Sequence, residues 1–412
     1  MIALLEKSSQ QSQRVADMLA LAAVVALPWS ISAGLLFVVL WFIAAIVILK
    51  ASEVRREILT FAGGMPVLLA VLGGLGMLWA NVAWPERLGG ADSFLKLLAI
   101  PLLLAQFRRS DRASWPLVGF LSSCAVLLGL YWAQTIQDIV VFKGAVQPAV
   151  QAIKNATTEM SEFMLCGFAL LFMAIAPMKN GRRPHAIGMI ALAAGFLGIV
   201  LYVLVLPSRW FAIRFELALP FAALLLLFVL RLFNAKAMLA VLAAGVLACI
   251  LYAAMPGVYS DFSTEPWLGL SRPVYWAKSL RFIADAPIIG HGTGSIRALF
   301  ELSAAGQTGK MAEIATNPFQ ETLAVGIQLG AIGIVALWAM WVSHLRLFRA
   351  QSLADWIGLV IVIYTIAASM SDSELFDAHR GWNYVFGIGI AGGTVLRARI
   401  KESRGQGGDA VG

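Results

Sequence analysis

Three stretches hold the side chains that could do chemistry in this 412-residue chain. Pro207-Ser208-Arg209-Trp210 leads into an apolar run that still carries Arg214 and Glu216. Arg272 stands near the start of a second stretch, in which Gly290-His291-Gly292-Thr293-Gly294 later sets one imidazole among three glycines. Asn317-Pro318-Phe319-Gln320-Glu321 puts amides and a carboxylate at the head of another apolar run. Guanidinium groups grip phosphate oxygens through paired N–H donors, so Arg209, Arg214 and Arg272 together suit a diphosphate or another multiply charged anion. An arginine beside a tryptophan at a membrane boundary is equally a snorkelling anchor, and Arg214 equally the partner of Glu216 or another carboxylate. Glycines that open a helix can present backbone N–H groups to an anion, but a sharp turn packed on its neighbours has the same composition. No Lys-Ser or Lys-Thr follows them, which excludes a nucleotide P-loop. Gln320 and Glu321 could bind substrate, and Glu321 is available as acid or base; in a first helical turn its carboxylate also complements the helix dipole.

Composition says what kind of element must position these groups. Hydrophobic residues make up 60% of the chain and charged residues 13%, against about 45–50% and about 25% in globular proteins. Mean hydropathy is +0.82. So few charges cannot cover a soluble surface, and lipid must be the solvent for most of the chain. Apolar runs of membrane-crossing or slightly shorter length lie at approximately 16–29, 31–49, 65–84, 92–107, 114–135, 159–178, 185–206, 211–233, 235–255, 321–345, 352–371 and 382–397. With the N-terminus inside, the short basic turns (Arg108-Arg109, Lys179 with Arg182-Arg183, Arg346 with Arg349, Arg397 to Arg404) all fall on one side, as the positive-inside rule requires. The expected fold is all-α and polytopic, about twelve transmembrane helices in a single integral membrane domain over 1–412, with both termini cytoplasmic.

The one large extramembrane segment, 256–320, then lies on the other side, between the ninth and tenth runs. Within it, Pro273 suits a first helical turn, and Val274, Ala277, Leu280 and Ala284 recur at helical spacing. That predicts a short amphipathic helix from Arg272 to about Asp285, a break at Ala286-Pro287, and a second helix from about Ser295. The tail 402–412 is Gly-rich and polar and is expected to be disordered. Cys124, Cys166 and Cys249 sit in apolar runs, which disfavours a disulfide framework or a cysteine metal site. No His/Asp cluster has metal-ligand spacing, so neither a metal nor another cofactor is expected. The net charge of +8 sits largely in the inner turns; it points to membrane lipids and not to nucleic acid.

Several residues recur in a familiar order. Ser208-Arg209 lies at the mouth of a span. Arg272 and Trp276 lead into Pro287, Gly290, Gly292 and Gly294. Asn317, Pro318 and Leu323 precede Gly330 and Gly333, and Ser373, Leu375, Asp377 and Gly381 close the series. Over about residues 205–385 this resembles the bacterial O-antigen ligase and O-antigen polymerase superfamily; the earlier spans match by hydropathy alone. The resemblance implies a metal-independent glycosyltransferase of the bacterial inner membrane with its active site facing the periplasm. Its donor is an undecaprenyl-diphosphate-linked glycan. In the ligase branch, favoured here, the acceptor is lipid A–core and the product is lipopolysaccharide. Arg209 and Arg272 would stabilise the charge that builds on the departing diphosphate. A polymerase of the same superfamily stays open, as does a twelve-span transporter or flippase, although no repeat relates the two halves.

One position departs from the family pattern. The family has His-Asn where this chain has Phe319-Gln320, and that histidine is the family's proposed general base. A phenyl ring takes no proton. His291, Glu321 and His379 are the remaining titratable groups near the motifs. Glu321 lies two residues beyond Phe319, about 200° around a helix, so it would face away from the vacated position. His379 stands beside Arg380, a cation that would keep it neutral. His291 is the favoured base, because a Gly-flanked turn could swing its imidazole over the donor and histidine titrates near neutrality.

Overall fold

The computed structural model describes residues 2–141, 156–205, 211–232, 271–306, 317–349 and 352–408, and every regular element among them is helical. The first half holds α1 (Ile2–Ala26), α2 (Ile31–Ile48), α3 (Ala51–Ile58), α4 (Phe61–Gly76), α5 (Trp84–Leu95), α6 (Ala99–Arg109) and α7 (Ser114–Val141). Then come α8 (Ala156–Lys179), α9 (Arg183–Val205) and α10 (Phe211–Leu232). The last part holds α11 (Ser271–Asp285), α12 (Ile296–Ala304), α13 (Glu321–Leu347), α14 (Leu353–Ala368) and α15 (Ala378–Gly408).

Among the described residues, six segments are long and apolar enough to cross a membrane: α2, the continuous pair α5–α6, and parts or all of α7, α8, α9 and α13. A seventh arises if α3 and α4, bent by 90° at Leu59-Thr60, count as one broken span. The protein is therefore a multi-pass membrane protein. About twelve spans are expected from the sequence. Of these, 235–255 lies outside the described residues, and α14, at 16 residues, falls short of the roughly 20 that a bilayer core needs. The 90° corner has local causes. Thr60 caps α4 by accepting from the Gly63 N–H at 3.1 Å, and buried Glu57 accepts from Arg56 at 3.0 Å and Arg108 at 2.8 Å.

Among the described residues, two large apolar cores run through the bundle, and a smaller one lies around Tyr275, Phe282 and Phe300. One large core joins α1, α2, α4–α6, α13 and α15 around Trp41, Phe107, Trp341 and Phe386; the other joins α7–α10 and α14 around Phe163, Phe168 and Phe196. Outward, α2 shows Leu36, Val39, Ile43, Ile46 and Val47 more than half exposed. Water would not tolerate such a contiguous patch, whereas acyl chains match it. Basic residues tie one end of the bundle together: Arg109 meets Glu53 at 2.7 Å, and Arg397 donates to the Ser110 carbonyl at 2.5 Å. The last helix runs to Gly408, so most of the tail expected to be disordered continues as helix. Extending an existing helix avoids the cost of nucleating one.

The span expected at 321–345 is not one straight helix. Gly330 sits at φ 60°, ψ −156° and breaks α13. Ala331 N–H donates to the Pro287 carbonyl at 2.8 Å and Ile332 N–H to Ile288 at 3.3 Å, so the Pro287–Gly294 turn enters the break. An irregular backbone at membrane depth is tolerated when protein satisfies it, as here.

Candidate functional site

The glycine turn is a rivet and not an anion cradle, because its N–H groups are already used. His291 donates to Ile327 O at 2.8 Å, Gly292 to Gln328 O at 2.9 Å and Thr293 to Gly76 O at 3.0 Å. Gly294 donates to Gln328 Oε1 at 2.8 Å, and Thr293 Oγ1 to Gly73 O at 2.6 Å. Gly292 has φ 91°, and a Cβ there would overlap the backbone of Ala80. Gly292→Ala combines left-handed strain with overpacking, a cost on the order of 3 kcal/mol. Its expected outcome is a large loss of folded, monodisperse protein on size-exclusion chromatography.

The same geometry places His291 away from Arg272. Its Nε2 donates to the Phe282 carbonyl at 2.7 Å, near the C-terminal end of α11. Arg272 lies ten residues earlier on that helix, about 15 Å away along the axis. The imidazole is tied into a packed turn at the wrong end of α11 and cannot swing over Arg272. His291→Ala should therefore leave turnover unchanged and lower stability by about 1 kcal/mol, the worth of one hydrogen bond; rate and melting temperature of the purified protein check both.

At the N-terminal end of α11 the other motifs meet. The Arg272 guanidinium forms an ion pair with Glu216 of α10 and donates from Nη1 to the Ser371 carbonyl at 2.5 Å. It also covers the Phe319 ring, 5.1 Å from its centroid, a favourable cation–π geometry. Phe319 holds that place at a backbone cost: φ is 55°, rare for a residue with a Cβ. Asn317 compensates, its Oδ1 accepting from Phe319 N–H at 2.9 Å and from Ser373 Oγ at 2.7 Å. The ring stacks on Tyr275 with centroids 6.0 Å apart. Phe319 is thus a platform for Arg272.

Beneath this platform lies a buried ionic network in the α14–α15 connection. Arg380 reaches Asp372 and Glu374, each at 2.6 Å, and Asp377 at 3.6 Å. Lys96, at the α5–α6 junction, donates to the Asp377 carbonyl at 3.1 Å. Glu321 is fully buried; its Oε2 accepts from Leu375 N–H at 2.9 Å and its own N–H donates to Ser369 O at 3.0 Å. Gln320 caps α13, accepting from Leu323 N–H at 2.6 Å. Both residues fasten the scaffold, and neither presents its bonded group to a ligand. Burial lifts the Glu374 carboxyl to about 8, against the opposing pull of Arg380. Burial also lowers the half-buried His379, with Asp377 opposing and Arg380 adding to the effect, so its imidazole is neutral at physiological pH.

Of the expected site residues, Arg272, Gln320 and Glu321 gather at this end and His291 does not. Arg209 lies outside the described residues, as does the side chain of Arg214. Glu216 is engaged with Arg272. Sequence reasoning missed the structural weight of Lys96, Asp372, Glu374 and Arg380. The signal was present: a lone lysine inside an apolar run, and three acids with one arginine between 372 and 380 in a chain so poor in charge. Among the described residues no three His, Cys, Asp or Glu side chains form a metal-holding group. Chemically, the arrangement offers one pre-oriented guanidinium backed by a carboxylate that a phosphate oxygen could replace. Comparison of the chain with family models and with curated proteins finds no match.

Proposed function

We propose that the protein is a glycosyltransferase that moves a glycan from an undecaprenyl-diphosphate carrier to lipid A–core, an O-antigen ligase of the inner membrane. One observation carries this reading. Motif residues far apart in sequence converge: Arg272 on Ser371, 99 positions away, and on Phe319, with Asn317 on Ser373 and Glu321 on Leu375. Spans that merely crossed lipid would need no such meeting. In the reaction the acceptor hydroxyl oxygen bonds to the anomeric carbon, and the bond from that carbon to the diphosphate oxygen breaks. The leaving diphosphate keeps the electron pair. Arg272 would exchange Glu216 for a diphosphate oxygen, joined by Arg209 and Arg214, and the gain is greatest as negative charge builds in the transition state. The acceptor's proton goes to a neutral base; His379 fits this better than the tied His291 or the enclosed Glu321.

The reading includes about twelve spans, cytoplasmic termini and a periplasmic 256–320 segment. Reporter fusions at Gly306 and at the C-terminus should accordingly report opposite compartments; the same compartment for both would exclude that topology. Function is tested by chromosomal deletion and a lipopolysaccharide gel. A ligase predicts loss of the O-antigen ladder with lipid-linked glycan accumulating. A single-repeat band would mark a polymerase instead, and unchanged lipopolysaccharide would exclude both.

A further inference from the structure

The opposite, basic end of the bundle holds a second polar site, unrelated to glycan transfer. A cavity of about 420 Å³ lies between α1, the α6–α7 turn and α15, lined by Arg14, Arg109, Arg112, Arg397, Gln13 and Ser110. Arginines at a membrane boundary ordinarily snorkel singly into water. Here four, from three separate parts of the chain, face one space. Three are held in position by the protein: Arg109 by Glu53 at 2.7 Å, Arg112 within 3.8 Å of Asp17, and Arg397 on the Ser110 carbonyl at 2.5 Å. A guanidinium has five N–H donors, so these contacts leave donors over. Arg14 is exposed and has no carboxylate partner among the described side chains. Asp111 is the one acid in the lining; Asp17, just behind, is already engaged by Gln13, Gln106 and Ser110. Positive charge therefore remains in excess.

We propose that this pocket is a phosphate-binding site, filled by an anionic phospholipid headgroup or by free phosphate. The guanidinium groups take the phosphate oxygens. Basic pockets between membrane helices recognise anionic headgroups by this chemistry.

The test uses the full-length protein in phosphatidylcholine vesicles with and without phosphatidylglycerol. A third arm adds sodium phosphate to the phosphatidylcholine sample, against sodium chloride at equal ionic strength. The melting temperature should rise with one of the two probes. A rise with phosphatidylglycerol alone assigns the headgroup, and a rise with phosphate alone assigns the free ion. Arg14→Ala, at an exposed position that should not disturb folding, should weaken the responding probe about 10–150-fold, the range for a hydrogen bond to a charged group. Arg112→Gln should weaken it too, while Asp17 keeps its bonds to Gln13, Gln106 and Ser110. No rise with either probe, or a rise that both variants retain in full, would overturn the proposal.

Discussion

Arg380→Ala should be the most damaging single substitution in the described structure, costing about 3–5 kcal/mol of stability. Arg380 is the cation shared by Asp372, Glu374 and Asp377, and its side chain is only 10% exposed. Removing it leaves three acids crowded in a poorly solvated connection, where charge is costly and water cannot replace the guanidinium. Those acids would respond by holding protons, Glu374 first, because burial already raises its carboxyl to about 8. The sign of the pH effect follows. An acid whose folded pKa is above its unfolded value, about 4.3 for glutamate, binds more protons folded than unfolded, so stability rises as pH falls. Arg380→Ala should accordingly melt higher at pH ~5 than at pH ~8; the wild type should shift in the same direction, because its Glu374 already binds a proton more readily folded than unfolded, and by less than the variant. Arg380→Lys, which restores charge without the planar fork, should recover only part of the loss. A variant as stable as the wild type at both pH values would show that the network does not hold the connection.

On the proposed function, Arg272→Ala should lower glycan transfer by roughly 10–150-fold, the equivalent of about 1.5–3 kcal/mol for a hydrogen bond to a charged group. The structure adds a complication that a purely catalytic arginine would lack. Glu216 is its ion-pair partner, and the two side chains are only 13% and 12% exposed. The single variant therefore strands a carboxylate and should also reduce the amount of folded protein. The double variant Arg272→Ala/Glu216→Gln removes the stranded charge. It should restore folded yield while transfer per molecule stays low. Arg272→Lys should keep the charge but transfer poorly, because an ammonium cannot hold Ser371 and a phosphate oxygen in one plane. The assay is transfer from a lipid-diphosphate glycan by purified protein, normalised to folded material. Full transfer by the double variant would remove Arg272 from the reaction.

Composition and charge placement by themselves determined that this chain is helical and lives in lipid, because those properties sum over many residues and need no contact to be known. Local chemistry was legible too. Pro273 and the 3–4 spacing after it placed α11, and Ala286-Pro287 with the glycines placed its end, since such signals act within one turn of helix. The tertiary structure decided what those elements do to one another. Nothing near Gly330 in sequence says that Pro287 and Ile288 would supply carbonyls to a broken α13. A glycine turn reads the same whether its N–H groups face an anion or Ile327 and Gln328. The partner of Glu216 was equally hidden: Arg272 stands 56 residues away, and only packing delivers it. Phe319 is the clearest case. Its side chain announces only that it takes no proton; that its strained backbone holds the ring under Arg272 depends on Asn317 reaching Ser373, a contact made by the fold and carried by no local pattern.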